Sequence, residues 1–189
     1  MRKRTTFNIQ HATGSRGFTL IEAVVSVSVF AIAATSIVGV YLSLQRLNQA
    51  SASLNALQQN SRFISEDISK IIRNGRIDYS RYPDGQAPQP SATDLYLVDK
   101  DGAQIWIYRN PTSEALVLDK LGIGSANFSS NEVRIKDFRV YIWPSGNPFP
   151  GGTEQPTATL YLDLESNVNA RDKTRMKFQV GLSTREYLE

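Results

Sequence analysis

The sequence predicts an α+β protein in which one long N-terminal α-helix packs, through its second half, on an antiparallel β-sheet. Two observations favour this class. No proline occurs before Pro83, and the apolar residues of that stretch first form a nearly unbroken run and then recur at helical spacing. After residue 76, segments of alternating apolar and polar residues are separated by turns rich in glycine and proline, a pattern typical of strands with one covered face.

The chain divides into four segments by composition. Residues 1–17 form a basic leader, 18–44 an apolar helix, 45–75 an amphipathic continuation of that helix, and 76–189 a β-rich head. The leader contains Arg2, Lys3, Arg4 and Arg16 and no acid, so the net charge of +3 originates there. Positive charge on one flank orients a membrane segment, with the leader in the cytoplasm and the head outside it. We therefore do not infer nucleic-acid binding from the basic net charge.

Catalytic residue types are scarce. The chain has no cysteine, and its single histidine, His11, lies in the leader. Without the leader, Ser-His and Cys-His nucleophilic sites and the usual zinc ligands are excluded. The sequence thus predicts a protein that is not an enzyme and holds no cofactor. Carboxylate pairs of the glycosidase kind stay open, because a sequence does not show the distance between two acids.

The apolar segment runs from Phe18 to Leu44 and carries one charge, Glu22. As a helix it would be about 40 Å long at about 1.5 Å per residue, enough to cross a bilayer core. A plain membrane anchor is one interpretation. A secretory signal peptide cut near Ala31-Ile32-Ala33 is another, but the apolar character continues beyond that site to Leu42.

Neither interpretation explains Glu22, whose insertion into a membrane costs about 2.5–3.5 kcal/mol. If the chain is cut between Gly17 and Phe18, the new amino group of Phe18 is a cation four residues from Glu22. The carboxylate then lies in the first turns of a helix, where the free N–H groups favour it. It can pair with its own amine or with that of a neighbouring subunit. The second pairing would reward one axial register between packed helices.

The hexapeptide Gly17-Phe18-Thr19-Leu20-Ile21-Glu22 resembles the cleavage and methylation motif of type IV pilins and type II secretion pseudopilins. The resemblance implies that a prepilin peptidase cuts after Gly17 and methylates the amine of Phe18. It implies assembly through Glu22 and the neighbouring Thr19, Leu20 and Ile21. The partners would be other pilin or pseudopilin subunits, with membrane lipid around the helix before assembly.

The later strands are similar to those of the longer, minor subunits of this superfamily. The implied function is therefore that of a minor subunit of a type IV pilus-like filament, at the cell surface or in the periplasm. A minor pseudopilin of a type II secretion system is the alternative. A ligand-binding domain on a permanent membrane anchor is a third interpretation, from a different class of protein.

Beyond residue 46 the spacing predicts a helix that ends at Asn74-Gly75, with one stripe to be covered. The predicted stripe is Leu47, Ala50, Leu54, Leu57, Ser61, Ile64, Ile68 and Ile71. A coiled-coil stalk would cover it with other chains. We favour coverage by the sheet, because a β-rich region follows at once.

Six strands are predicted in the head. They are Asp94–Asp99, Ala103–Arg109, Glu114–Lys120, Glu132–Trp143, Thr157–Glu165 and Thr174–Thr184. Lys100-Asp101-Gly102 is predicted to form a hairpin turn. In the fourth strand the apolar parity changes at Lys136-Asp137, which predicts a bulge. The acids alternate with apolar positions, so we expect them on a solvent-facing side.

Three groups are candidates for ligand binding. Oxygen ligands for calcium could come from Asp163, Glu165, Asn167, Asn169 and Asp172, although their spacing is not that of an EF-hand and a solvated strand end is preferred. Arg171, Lys173, Arg175 and Lys177 could meet an acidic polymer, but cations also protect an exposed sheet edge. The aromatic residues Trp106, Tyr108, Tyr141 and Trp143 could bind a sugar or a partner, but half-buried sheet positions are expected.

Overall fold

The computed structural model describes residues 17–149, 151–152, 154–169 and 173–184. The leader, apart from Gly17, lies outside the described residues. Helix α1 (Leu20–Asn74) is followed by strands in two antiparallel sheets, which confirms the α+β class. The chain divides into two compact units, Met1–Gln45 and Arg46–Glu189.

The first unit contains the N-terminal part of α1. Its large apolar side chains, from Phe18 to Leu44, are all exposed. Among the described residues, α1 is the one helix that is long and apolar enough to cross a membrane. Nothing among the described residues of this unit covers these side chains, so lipid or neighbouring helices would be suitable surroundings for them.

The second unit holds two sheets where the sequence predicted one. The first contains β1 (Gly75–Ile77), β2 (Asp94–Asp99), β3 (Gln104–Arg109), β4 (Leu116–Lys120) and β5 (Gly124–Asn127), in sequential order. The second contains β6 (Val133–Trp143), β7 (Thr157–Ser166) and β8 (Arg175–Ser183), also in sequential order. β1 and β5 were not predicted, because both are short and neither shows apolar alternation over a useful length.

One core fills the second unit. Leu57, Ile64, Ile68 and Ile72 of α1 are buried against the inner faces of both sheets. This coverage by the same chain contradicts the coiled-coil alternative for the periodic half of α1.

The predicted stripe is wrong at its N-terminal end. Leu47 and Leu54 are 63% and 46% exposed. The buried row runs instead through Ser53, Ala56 and Asn60, which lie on a neighbouring side of the helix. Leu47 precedes Gln49, whose side-chain oxygen accepts a hydrogen bond from Asn169 of the head at 3.0 Å. Leu54 lies beyond Gln49 but on a side of the helix away from the buried row.

Helix α1 passes directly into β1 at Gly75. The predicted boundary is correct, but glycine is not required here by a left-handed helix end. Gly75 does not have a positive φ. A Cβ there would lie 2.7 Å from the carbonyl oxygen of Val98 and 3.1 Å from that of Ile71. Gly75 therefore permits a close approach between the helix end and β2.

The segment between β1 and β2, residues 78–93, links two neighbouring strands of the first sheet. It contains two short 3-10 turns, Tyr79–Arg81 and Pro83–Gly85. The hydroxyl of Tyr79 donates to Pro144 O at 2.9 Å. Ala92 and Val140 exchange backbone hydrogen bonds of 2.8 Å in both directions, so the loop covers part of the outer edge of β6.

The predicted bulge in β6 is confirmed, and Lys136 is the extra residue between Ile135 and Asp137. Its ammonium group lies 2.9 Å from Glu114 Oε1 and 3.4 Å from Glu165 Oε1. Arg175 donates to the other oxygen of Glu165 at 3.0 Å. Arg109 and Arg134 also contact Glu114. We call Arg109, Glu114, Arg134, Lys136, Glu165 and Arg175 the ion network.

The expectation that the acids lie on a solvent-facing side is wrong for Asp163 and Glu165, because both are buried. Glu165 belongs to the ion network. The hydrogen bond from Lys136 is the largest influence on Glu114 and lowers the pKa of that carboxyl below its usual value. For Glu165, burial opposes ionisation most strongly, but Arg175 and Lys136 together still lower its pKa. Both carboxyl groups are therefore stabilised in the charged form by cations of the second sheet.

Candidate functional site

The segment Gly17–Glu22 forms the start of α1. Thr19 is the N-cap: its Oγ1 accepts a hydrogen bond from the Glu22 N–H at 3.3 Å and donates to Glu22 Oε2 at 3.4 Å. The first helical bond runs from the Ala23 N–H to Thr19 O at 3.1 Å. The two residues have the Thr-x-x-Glu spacing of a capping box, with the carboxylate accepting from the Thr19 hydroxyl. Sequence reasoning named both residues but missed their link, which the Thr-x-x-Glu pattern could have shown.

The bond between Gly17 and Phe18 precedes the helix. Both residues are exposed, and Leu20 is the first helical residue. Since Gly17 and Phe18 take part in no helical hydrogen bond among the described residues, a protease would not need to unwind the helix to reach the bond between them.

Polar side chains within the apolar part of α1 are satisfied by the helix itself. Each hydroxyl donates to a backbone carbonyl three or four residues earlier, at 2.7–3.0 Å, in Ser26, Ser28, Thr35, Ser36 and Ser43. Such internal bonding lets a hydroxyl enter lipid without an unsatisfied donor. These side chains therefore offer little to an external partner.

Glu22 differs from those hydroxyls. Oε2 contacts the Thr19 hydroxyl, whereas Oε1 has no hydrogen-bond partner among the described residues. No cation in the described part of the chain forms an ion pair with it. The arrangement leaves one carboxylate oxygen open at the side of an apolar, exposed helix, where a cation from outside the helix would be strongly favoured.

Residues 13–38 match the family model of the prokaryotic N-terminal methylation motif. Over this N-terminal segment the chain is similar to type IV pilin-like and pseudopilin-like proteins. The motif implies processing by a prepilin peptidase and assembly with other pilin subunits, and its family is structural rather than catalytic. With the apolar helix, it fits a membrane-anchored protein.

The match ends at residue 38, so it covers neither the second half of α1 nor the sheets. No curated protein and no solved structure matches the chain. What the head does must therefore be argued from its own residues.

The calcium candidates do not converge in the described part of the chain. Asp172 lies outside the described residues, and Glu165 is held by Lys136 and Arg175. The side-chain amides of Asn167 and Asn169 donate to Asn131 O and Gln49 Oε1. Within the described ranges, no group of three or more acids and histidines is placed to hold a metal ion.

The aromatic candidates separate into two groups. On the first sheet, Trp106 stacks on Tyr108 with ring centroids 4.0 Å apart and donates to Asp94 Oδ1 at 3.0 Å, and both rings are half-buried as expected. On the second sheet, Tyr141 is 40% and Trp143 65% exposed, contrary to expectation.

The basic candidates Lys173, Arg175 and Lys177 are all exposed, and the latter two lie on the outer face of β8. Arg175 is partly committed to Glu165. Arg171 lies outside the described residues.

Proposed function

We propose that the chain is a minor subunit of a type IV pilus-like filament. In this proposal the prepilin peptidase cuts after Gly17, the new amine of Phe18 is methylated, and residues 18–44 hold the subunit first in the membrane and then in the filament. The leader faces the cytoplasm and the head lies outside it. The observation that carries the proposal is the open carboxylate oxygen of Glu22 beside a methylation motif.

The proposed contact follows from the charge. Thr19 occupies Oε2 of Glu22, so Oε1 is available to the cationic amine of a neighbouring Phe18. A carboxylate without a cation in an apolar medium costs several kcal/mol, about 2.5–3.5 on insertion scales. When two packed helices are aligned so that Glu22 of one meets the Phe18 amine of the other, the ion pair removes that cost. A displacement of one helix by a helical turn separates the two charges and restores the cost. The contact therefore selects a register, while the side chains of Leu20 and Ile21 supply apolar packing.

The same observation supports a type II secretion pseudopilin. The two systems are distinguished by expression of the chain in strains that lack either the pilus machinery or the secretion machinery. Incorporation into filaments only when the pilus machinery is present would support the proposal, and dependence on the secretion machinery would replace it with the pseudopilin role.

Processing is tested by mass spectrometry of the chain purified from cells with an active prepilin peptidase. The expected mature chain begins at an N-methylated Phe18. A chain that keeps residues 1–17 in those cells would contradict the proposal.

Assembly is tested with Glu22→Ala. We expect the variant to be processed and to reach the membrane, but to be reduced at least tenfold in sheared filaments. Glu66→Ala is the matched control, because Glu66 is an exposed acid of the same helix paired only with Arg62 at 2.9 Å. Normal incorporation of Glu22→Ala would overturn the role assigned to the carboxylate, and absence of both this variant and the unaltered chain from sheared filaments would favour a permanent membrane anchor.

A further inference from the structure

Strand β8 ends the second sheet and pairs with β7 along its whole length without a register shift. Within the described residues no strand pairs with its other edge. Thr174 O accepts from the Ser166 N–H, and the Thr184 N–H donates to Pro156 O, so even-numbered residues point their backbone groups at β7. Because this direction alternates along an antiparallel strand, the N–H and C=O groups of residues 175, 177, 179, 181 and 183 point outward.

The apolar layer is also open at this edge. Met176, Phe178 and Val180 are only partly buried against the core, whereas Leu160 and Leu162 of the neighbouring strand are fully buried. An added strand would extend the hydrogen-bond ladder and cover this apolar row together.

The other sheet edges in the described structure lack this combination. β5 is a four-residue strand without a large apolar side chain. The outer edge of β6 is bonded to Ala92 and to Glu114, whose carbonyl accepts from the Ile135 N–H at 2.6 Å. The β8 edge is therefore distinguished by length, open backbone groups and a half-covered apolar row.

The sequence of β8 is complementary to itself. In an antiparallel pair centred on Gln179, Lys177 of one copy lies opposite Gly181 of the other, and Arg175 lies opposite Ser183. On the inner face, Phe178 lies opposite Val180, and both apolar rows continue. A Cβ at Gly181 would meet only Thr159 Oγ1, at 3.6 Å, so this position leaves room for a lysine stem.

Repulsion between the cations of the two copies is weak in this register. The two Lys177 residues would be offset by four residues along the strands, about 14 Å at about 3.4 Å per residue. That separation exceeds the Debye length of about 8 Å at physiological ionic strength, so their repulsion is largely screened. Edge cations commonly prevent strand pairing, but here each faces a small neutral residue.

We propose that two copies of the chain pair through their β8 strands, antiparallel and centred on Gln179, to form one continuous sheet across both heads. The partner is a second copy of this chain. This association goes beyond the proposed filament role and does not depend on Glu22.

Disulfide trapping tests the register, because the chain contains no cysteine. The full-length Gln179→Cys variant in detergent is oxidised mildly. Directly opposed residues have Cα atoms about 5.5 Å apart in such a pair, within the usual disulfide range of about 4.4–6.8 Å. We expect most of this variant to become a covalent dimer. Lys177→Cys alone and Gly181→Cys alone should remain monomeric, while their mixture should form the 177–181 disulfide, identified by peptide mass spectrometry.

Other outcomes overturn the proposal. One is that Gln179→Cys stays monomeric or is cross-linked only to a different protein. Another is that Lys177→Cys and Gly181→Cys are cross-linked as strongly when each is oxidised alone as when they are mixed. The experiment is repeated with Glu22→Gln added. The β8 disulfides should persist there even though filament incorporation is lost, so failure of one proposal can be told apart from failure of the other.

Discussion

At the scale of single residues, Lys136 shows what the β6 bulge achieves. The bulge inserts this residue between Ile135 and Asp137, and its ammonium group lies between Glu114 and Glu165. A regular strand would have no extra residue at this point. The bulge thus brings a cation to Glu165, a carboxylate that the sheet buries.

The ion network makes the stability of the head dependent on pH. The pKa of Glu114 is below its usual value in the folded chain, chiefly because Lys136 donates to it. Its contribution is complete above the unfolded pKa of about 4.3 and is lost as the pH falls through the lower folded value. We expect the free energy of unfolding of the full-length chain in detergent, measured with urea, to decrease between pH 6 and pH 3.

Glu114→Gln should lower the unfolding free energy at pH 6 by about 1–3 kcal/mol and reduce its decrease toward pH 3. Glu66→Gln is the control, with an expected loss below about 0.5 kcal/mol, because its ion pair with Arg62 is exposed. An unchanged stability and pH profile for Glu114→Gln would show that the network contributes nothing.

At the scale of elements, α1 contains two nearby leucines, one buried and one exposed. Leu57 is fully buried and Leu54 is 46% exposed, three residues away. Leu57→Ala should destabilise the second unit by about 2–5 kcal/mol, because it leaves a cavity in the core. Leu54→Ala should cost less than about 1 kcal/mol. Urea unfolding measures both, and equal losses would mean that the buried row is assigned to the wrong side of the helix.

The junction between α1 and β1 gives a second prediction for an element. Gly75→Ala should lower the unfolding free energy by about 1–3 kcal/mol, since its Cβ would approach the Val98 carbonyl oxygen to 2.7 Å. Gly146→Ala is the control, because a Cβ there meets only a side-chain carbon of Gln86 at 3.8 Å. Thermal unfolding of the two variants should separate them, and identical midpoints would refute the close approach.

Features set by residues close together in the sequence could be predicted, and features set by contacts between distant residues could not. Alternation within each strand is local, so six strands were predicted, and the parity change at Lys136-Asp137 correctly indicated the bulge. The division into two sheets was missed because strand partners are not written in local periodicity. Leu54 was misplaced because the cover of a helix comes from distant residues. Glu165 was misplaced for a similar reason, since its cations come from β6 and β8.

In the N-terminal segment the sequence predicted the residues but not their contacts. Gly17, Phe18 and Glu22 were named from the motif, and the roles assigned to them remain proposals. The cap formed by Thr19 was missed, although its pattern is local. The open oxygen of Glu22 was not foreseeable, because it depends on which oxygen the Thr19 hydroxyl contacts.

At the scale of the whole molecule, the residue proposed to direct assembly and the hydrophobic core lie in different compact units. Glu22 belongs to the unit Met1–Gln45, and the core lies in the unit Arg46–Glu189. Glu22→Gln should therefore leave the urea unfolding of the head unchanged within about 0.5 kcal/mol while filament incorporation is lost. A large change in head stability would show that the two units are energetically coupled.

Helix α1 ends at Asn74 and β1 begins at Gly75, so no flexible linker separates the helix from the sheet. Tension applied along the second half of α1 would reach Gly75 and then the three residue pairs that join β1 to β2. A flexible linker would lengthen first and absorb such a load. Here any lengthening between α1 and β1 requires the rupture of backbone hydrogen bonds or the withdrawal of Ile72 from the core. The head should therefore resist a pulling force even at very small extensions.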